Sequence, residues 1–402
     1  MARMSRRIAF VVAVCGGALL LGGLGLVLLG GRTTRTEGDP RVAAAVAASN
    51  PHPLAGNFRP NGTTLADCRR RRFDQLCYEQ AFGNVAYRQG PRAALRAFAA
   101  AIATDPDVER GCHRMAHSIG SASLARDKGD VSKAFAEGSS ICWSGYYHGI
   151  LERALVDVRG ENALVTVARK LCAGASVRVR PFLAYQCIHG LGHGLMIHTG
   201  LDLPTSLRVC ERLLTSWDQT SCDGGVFMEN FNTSYGVQSP YLRKNDLLYP
   251  CDWVAPRHKL YCYLQITDRI LTVTAGDWRR ASYLCAHAEH DWRATCFQSY
   301  GRSVSGVARG NARRSQRLCA AVPPRWRDDC AYGVARDLTS NDEGGARAAR
   351  FCRVLRARSR ARCFYGVGTI LASIYVEPGR LARECTRLAG AYAANCTMRR
   401  ST

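Results

Sequence analysis

Apolar and polar positions divide the chain into three regimes. Ile8 to Gly30 is an uncharged apolar run of 23 residues, with Arg3, Arg6 and Arg7 immediately before it. About 20 apolar residues span a bilayer as a helix, so the pattern predicts a transmembrane helix over 8–30 behind a cytoplasmic stub, 1–7. A cleaved signal peptide has a shorter apolar core and a small-residue cleavage site. No Ala-x-Ala follows here, which predicts an uncleaved signal anchor. The arginines stay cytoplasmic, so the remainder of the chain is expected outside. Residues 31–67 mix Thr, Gly, Pro, Asn and Ala without periodicity and are expected to form a flexible tether. From residue 68 onward, apolar positions recur with helical spacing in short blocks separated by Gly-rich or Pro-rich breaks.

These blocks repeat. In Cys296-Phe-Gln-Ser-Tyr-Gly-Arg-Ser-Val-Ser-Gly an apolar-periodic segment follows a cysteine, and the turn Val307-Ala-Arg-Gly310-Asn311 follows it. A second helical segment, Arg313 to Cys319, ends at the next cysteine. We term the two helices A and B. Pro323-Pro324 falls between one helix B and the next helix A, where a break is required. Pro378-Gly379 opens a later helix B. The cysteines keep the register: 251/262, 285/296, 319/330, 352/363 and 385/396 each enclose ten residues, and successive pairs are 33 or 34 residues apart. Looser versions are 210/222, 172/187 and 68/77. Such a period predicts a solenoid of helix pairs, about nine units over 68–402.

Cysteine usage extends this picture. Of 19 cysteines, Cys15 lies inside the apolar run and reads as a filler, leaving an even number for the exported part. Export to an oxidising compartment makes disulfides the default. Each C-x10-C pair spans the loop from helix B to the next helix A, whose two ends lie close, so a bridge there is geometrically easy. A loop of that size contributes about 3 kcal/mol when closed. Cys112 and Cys142 have no upstream partner. Either they bridge each other across neighbouring helices A, which completes nine bridges, or they are two thiols beside histidines.

At this point the chain resembles the cysteine-rich Sel1-like repeat proteins, relatives of tetratricopeptide solenoids. The matching features are C-x10-C followed by aromatic and Gly positions, as in Cys330-Ala-Tyr-Gly and Cys363-Phe-Tyr-Gly, over roughly residues 68–396. The family's loop is shorter and its Leu/Ala/Gly signature denser. The resemblance implies an all-α, right-handed solenoid, disulfides from helix B to the next helix A, and a concave face lined by helices A. It transfers no catalytic motif.

Charge adds one constraint. The formal net charge is +23, and only five of the 55 basic residues are lysine. Such arginine dominance suits a GC-rich genome and hence a bacterial cell envelope. From Gly301 onward twenty arginines face seven acidic residues. This half is either a solvated arginine-rich surface or a face that meets anionic envelope material. Nucleic acid is not an expected partner, because the domain is exported and carries no recognised module.

The candidate chemistry is histidine. Nine of ten histidines lie between His113 and His290. Counted from the helix-A cysteines, His148 in Cys142-Trp-Ser-Gly-Tyr-Tyr-His148-Gly and His193 in Cys187-Ile-His189-Gly-Leu-Gly-His193-Gly both stand at plus six, and His117 stands at plus five after Cys112. Matching positions on adjacent helices point into one space. His113 and His117, spaced i,i+4, share a helical face and suit a shared ion. His113, His117, His148 and His193 are therefore the expected metal ligands, with His189 and Glu229 as weaker candidates. Glu152, four residues after His148, is a candidate acid/base, ligand or orienting carboxylate. Imidazole and carboxylate suit Zn, Cu, Fe or Ni. Gly145, Gly190, Gly225, Gly333 and Gly366 recur at plus three and are expected to be packing positions. His198, His258, His287 and His290 are expected on the surface or in loops. The period-breaking segment Met228–Leu248 is a candidate cover for the histidines or a plain surface loop. Two functions follow. One is a membrane-anchored repeat protein that binds a protein, peptide or envelope ligand on its concave face, with a transition metal assisting. The other is a metal-dependent oxidoreductase or hydrolase.

Overall fold

The computed structural model describes residues 54–70, 73–234, 238–342 and 344–398. They belong to one packed unit, and every regular element among them is helical. The expected anchor, 8–30, lies outside the described residues. Among those described, no helix is long and apolar enough to cross a membrane.

Nine long helices form a row: α1 (Gln75–Gln89), α2 (Cys112–Arg126), α3 (Gly145–Leu155), α4 (Pro181–His198), α5 (Ser216–Phe231), α6 (Lys259–Val273), α7 (Arg293–Ala308), α8 (Arg327–Asp342) and α9 (Ala357–Ile374). Each packs against the next. The intervening helices, among them Glu161–Leu171, Leu203–Glu211, Trp278–His287, Ala312–Ala320, Ala346–Val354 and Arg380–Ala389, make a second layer. The sequence explains the division. In α4 every residue from Gln186 to Met196 is buried, whereas Arg380–Ala389 buries only Cys385, Leu388 and Ala389. A helix apolar nearly all round must have neighbours nearly all round; a one-sided stripe needs only one. Asp130, Asp202, Asp277 and Asn311 cap second-layer helices by accepting from backbone N–H groups three residues on, about 1 kcal/mol each.

Nine disulfides staple the layers: Cys68–Cys77, Cys112–Cys142, Cys172–Cys187, Cys210–Cys222, Cys251–Cys262, Cys285–Cys296, Cys319–Cys330, Cys352–Cys363 and Cys385–Cys396. Cys112 and Cys142 are thus bridged rather than free.

Two devices accompany the staples. Trp292 stacks on Tyr263, Trp326 on Phe297 and Tyr392 on Phe364, with ring centroids 5.9, 5.3 and 5.6 Å apart. In each case the 3-10 turn that opens the next helix, α7, α8 or the short Ala393–Thr397, is laid on the aromatic that follows the previous long helix's cysteine. Arginine supplies the second device. The Nε of Arg293, Arg327 and Arg360 donates to the carbonyl of Ala288, Val322 and Leu355 at 3.0, 3.0 and 2.9 Å. Part of the arginine excess therefore ties loops rather than meeting a partner.

Two expectations are corrected, and the period break expected after α5 is found. From α4 to α9 each long helix begins three or six residues before its cysteine, not at it; at α7 and α8 the turns ending in Trp292 and Trp326 set the start. The stretch expected to be a tether through residue 67 is packed from Leu54 onward. It contains the helices Leu54–Asn57 and Leu65–Arg69, buries Phe58 and pairs Asn61 with Asn84 at 2.9 Å. The repeat that contains Cys251 has an irregular segment after α5 where the others have a second-layer helix.

The row curls. Helix α4 meets α9, and Glu109, just before α2, pairs with Arg309, just after α7, at 3.3 Å.

Candidate metal centre

Glycine sets the distance between the helices that carry histidine. A Cβ placed on Gly149 of α3 would lie 1.9 Å from the His117 carbonyl oxygen, and one on Gly120 of α2 would lie 1.9 Å from that of Tyr146. Helices α4 and α5 are held the same way: a Cβ on Gly192 would lie 2.1 Å from the Cys222 oxygen, and one on Gly225 1.8 Å from the His189 oxygen. No side chain fits such a gap. Gly190, expected to be a packing glycine, has only ordinary contacts at 3.4 Å. The close approach falls two residues later, at Gly192.

This spacing brings five imidazoles together. His113 and His117 extend from α2, His148 from α3, and His189 and His193 from α4. Ring centroids are 4.8 Å apart for His113/His117, 5.3 Å for His113/His148, 5.5 Å for His117/His148, 5.6 Å for His148/His189 and 5.1 Å for His189/His193. His148 stacks on His193 at 4.1 Å. Among the described residues, His113/His117/His148 and His148/His189/His193 each bring three ligand atoms within 4.8 Å of one another. His117, His148, His189 and His193 are buried, and His113 is half-buried.

The partners of the ring nitrogens fix which of them carry protons. His113 Nδ1 lies 2.8 Å from the Cys142 carbonyl oxygen. A carbonyl only accepts, so Nδ1 is the N–H and Nε2 is bare. His117 Nδ1 faces the Glu152 carboxylate at 3.3 Å and His193 Nδ1 faces Glu229 at 2.9 Å, which leaves their Nε2 atoms bare as well. His113 Nε2 and His117 Nε2 are 3.2 Å apart. Two lone pairs thus face each other across a gap that suits a cation between them. Two nitrogens bound to one tetrahedral ion at 2.0–2.1 Å are separated by about 3.3 Å. His193 Nε2 and both ring nitrogens of His148 are buried with no hydrogen-bond partner.

Electrostatics keep the rings in the ligand form. Burial lowers His113 and His117 to about 3, with the neighbouring imidazoles adding to the effect. His148 and His189 lie well below the ordinary histidine range, again through burial first and then the other imidazoles. Neutral imidazole is what a metal requires. Burial alone would raise Glu229. The hydrogen bond from His193, with the backbone N–H and hydroxyl of Ser234, outweighs it and holds the carboxyl below its ordinary value. Ser234 and Glu229 both lie in the period-breaking segment Met228–Leu248, which thus holds the carboxylate in place from within; residues 235–237 lie outside the described set.

Of the expected ligands, the structure unites all four histidines and adds His189 to them. Glu152 and Glu229 stand behind His117 and His193 and contact the nitrogen facing away from the cluster. That is the place of an orienting carboxylate. Cys142, Trp143 and Ser144 are three consecutive left-handed residues, none a glycine. This strained turn aims the Cys142 carbonyl at His113, and such strain gathers at functional sites.

Sequence reasoning missed several groups. Glu79 of α1 is buried beside α2 and pairs with Arg114 at 2.8 Å. Burial raises its carboxyl to about 7 against the opposing charge of Arg114. His258, expected at the surface, is buried between Asp223 and Glu211 at 2.7 and 2.8 Å. Arg302 of α7 and Arg336 of α8 act on Tyr185, whose hydroxyl lies 3.4 Å from His189 Nδ1. Apart from Tyr185, four residues before His189, these partners lie 35 residues or more away in the chain, and no short motif announces them. His287 and His290 are exposed and His198 is partly buried, all apart from the cluster.

Comparison with known proteins finds no matching family model, no matching curated relative and no matching solved structure. Of the expected Sel1-like architecture, the structure shows an all-helical repeat of helix pairs with nine regularly spaced disulfides.

Proposed function

We propose that this chain is a transition-metal-binding protein of the cell envelope, anchored by its N-terminal apolar run and exposing a disulfide-stapled right-handed helical solenoid outside the membrane. One observation carries the metal reading. Carbonyl and carboxylate partners occupy the Nδ1 atoms of His113, His117 and His193, so their Nε2 atoms point bare into a buried cluster, two of them 3.2 Å apart. Most buried side-chain polar atoms have a hydrogen-bond partner, so bare nitrogens gathered in one place call for another explanation. An all-imidazole donor set backed by carboxylates suits Zn, Cu, Ni or Fe. In this reading the protein stores, buffers or presents the ion. The nine disulfides fit an oxidising location.

A second reading makes the bound ion catalytic. The positive charge of Arg302, felt at Tyr185 and His189, and of Arg336, felt at Tyr185, supports it, since positive charge around the cluster favours an anionic substrate. Glu152 as acid/base belongs to this reading. Binding of a protein, peptide or envelope polymer on the concave face is a weaker alternative, because contact between α4 and α9 narrows that face.

The test is elemental analysis of full-length protein in detergent, after chelation and incubation with Zn(II) or Cu(II). The expected result is stoichiometric metal that survives gel filtration and binds at least 100-fold more weakly in His117→Ala. Protein that remains metal-free in both incubations while fully folded overturns the reading.

A further inference from the structure

The five histidines are not one over-furnished site. They divide into two sets that mirror each other about His148. Helix α2 contributes His113 and His117; α4 contributes His189 and His193; both pairs are spaced i,i+4. Behind the second histidine of each pair stands a carboxylate from the following long helix, Glu152 for His117 and Glu229 for His193, 35 and 36 residues further along the chain. Behind the first stands an oxygen, the Cys142 carbonyl for His113 and the Tyr185 hydroxyl for His189. The same four-part arrangement thus occurs twice, two repeats apart. Helix α3 lies between α2 and α4 in the row and supplies a single imidazole to both sets.

That imidazole is the unusual one. The other four histidines place Nδ1 beside an oxygen, whereas His148 is buried with neither ring nitrogen hydrogen-bonded. Leaving two buried polar atoms unsatisfied is costly, and a neutral ring with one N–H and one lone pair would not complete either set symmetrically.

We propose that His148 bridges two metal ions as an imidazolate, one held by His113, His117 and one ring nitrogen of His148, the other by His189, His193 and the opposite ring nitrogen. This rests on the metal-binding reading above and deepens it. The chemistry balances simply. Neutral His148 gives up its single ring proton to solvent, and the resulting anion donates one lone pair to each dication. With metal–nitrogen bonds of 2.0–2.1 Å on either side of the ring, the ions stand about 6 Å apart. Each of the other four ligands stays neutral, and Glu152 and Glu229 offset the remaining charge from behind. His148 and His193 stack with an interplanar angle of 20°. Metal lies in the plane of a ligating ring, so closing the second set turns one of these rings about χ2, a torsion with a broad minimum.

The probe is Cu(II), added to chelator-treated full-length protein in detergent and followed by metal counting after gel filtration and by electron paramagnetic resonance. The expected result is two copper ions per chain, with most of the spin signal lost to coupling through the bridge. Acidification that protonates the bridge should restore the signal of two separate ions before the metal is released. His148→Ala should remove the coupling; because coupling is read on the unmodified protein as well, the proposal does not depend on that variant folding. One copper per chain, or two with the full uncoupled signal, overturns the bridge and leaves the metal-binding reading standing. No bound copper or zinc overturns both.

Discussion

Gly225→Ala tests the physical basis of the site without touching a ligand. The added methyl would start 1.8 Å from the His189 carbonyl oxygen. Carbon and a carbonyl oxygen settle at about 3.3 Å, so α5 must move away from α4 by about 1.5 Å. Glu229 travels with α5, and its 2.9 Å bond to His193 Nδ1 would stretch beyond hydrogen-bonding range. Overpacking costs about 1–3 kcal/mol, and loss of a buried bond to a charged group about 1.5–3. The better helix propensity of alanine returns about 1 kcal/mol. The net loss is about 2–5 kcal/mol, concentrated in α4 and α5. Gly306→Ala is the matched control. It is also helical, but nothing lies within 4 Å of its added Cβ, so it should be neutral or stabilise by up to about 1 kcal/mol. The assays are thermal unfolding of the disulfide-intact protein and amide exchange across residues 181–231, together with metal affinity. Gly225→Ala should melt several degrees below the control, exchange faster in α4 and α5, and bind metal more weakly. Equal melting temperatures and equal affinity for the two variants would refute the claim that glycine contact positions Glu229 and the α4 histidines.

Two further outcomes follow from the buried titrating groups. In metal-free protein, His117 is held at about 3, while in the unfolded chain it takes up a proton near 6.5. The folded state therefore binds fewer protons between those values, and stability falls with pH below about 6.5. From pH 7 to pH 5 this histidine alone costs about 2 kcal/mol. Denaturation midpoints that do not drop between pH 7 and 5 in metal-free protein would contradict the neutral cluster. His258 has the opposite sign. Burial alone would lower its pKa, but Asp223 and Glu211 outweigh burial and raise it, so its stabilisation is complete below about 6.5 and fades as pH rises through the folded value. His258→Leu should cost about 3–5 kcal/mol near pH 6, because Asp223 loses a buried partner, and less near pH 8. A penalty that grows with pH would refute the assignment.

Repetition made the fold legible. A fixed cysteine period over alternating helical blocks implies stacked helix pairs, because each pair can bury its apolar stripe only against its neighbours. The same register put His148 and His193 at equivalent positions, and i,i+4 spacing put His113 beside His117. The chain's one-dimensional order therefore determined the helices, the partners of the regularly spaced cysteines, and the region in which an imidazole cluster would form. Tertiary structure decided what those imidazoles face. Gly192 and Gly225, from different repeats, set the approach of α4 to α5. The left-handed turn at Cys142–Ser144 aims a carbonyl at His113. Glu152 and Glu229 arrive from the next helix to claim Nδ1 of His117 and His193. His258, which stands among loop residues in the sequence, is drawn between two carboxylates. Periodicity reports which side of a helix is buried, whereas hydrogen-bond partners and tautomers depend on distances between residues about 35 positions apart. Those distances turn a row of histidines into a cluster of bare nitrogens.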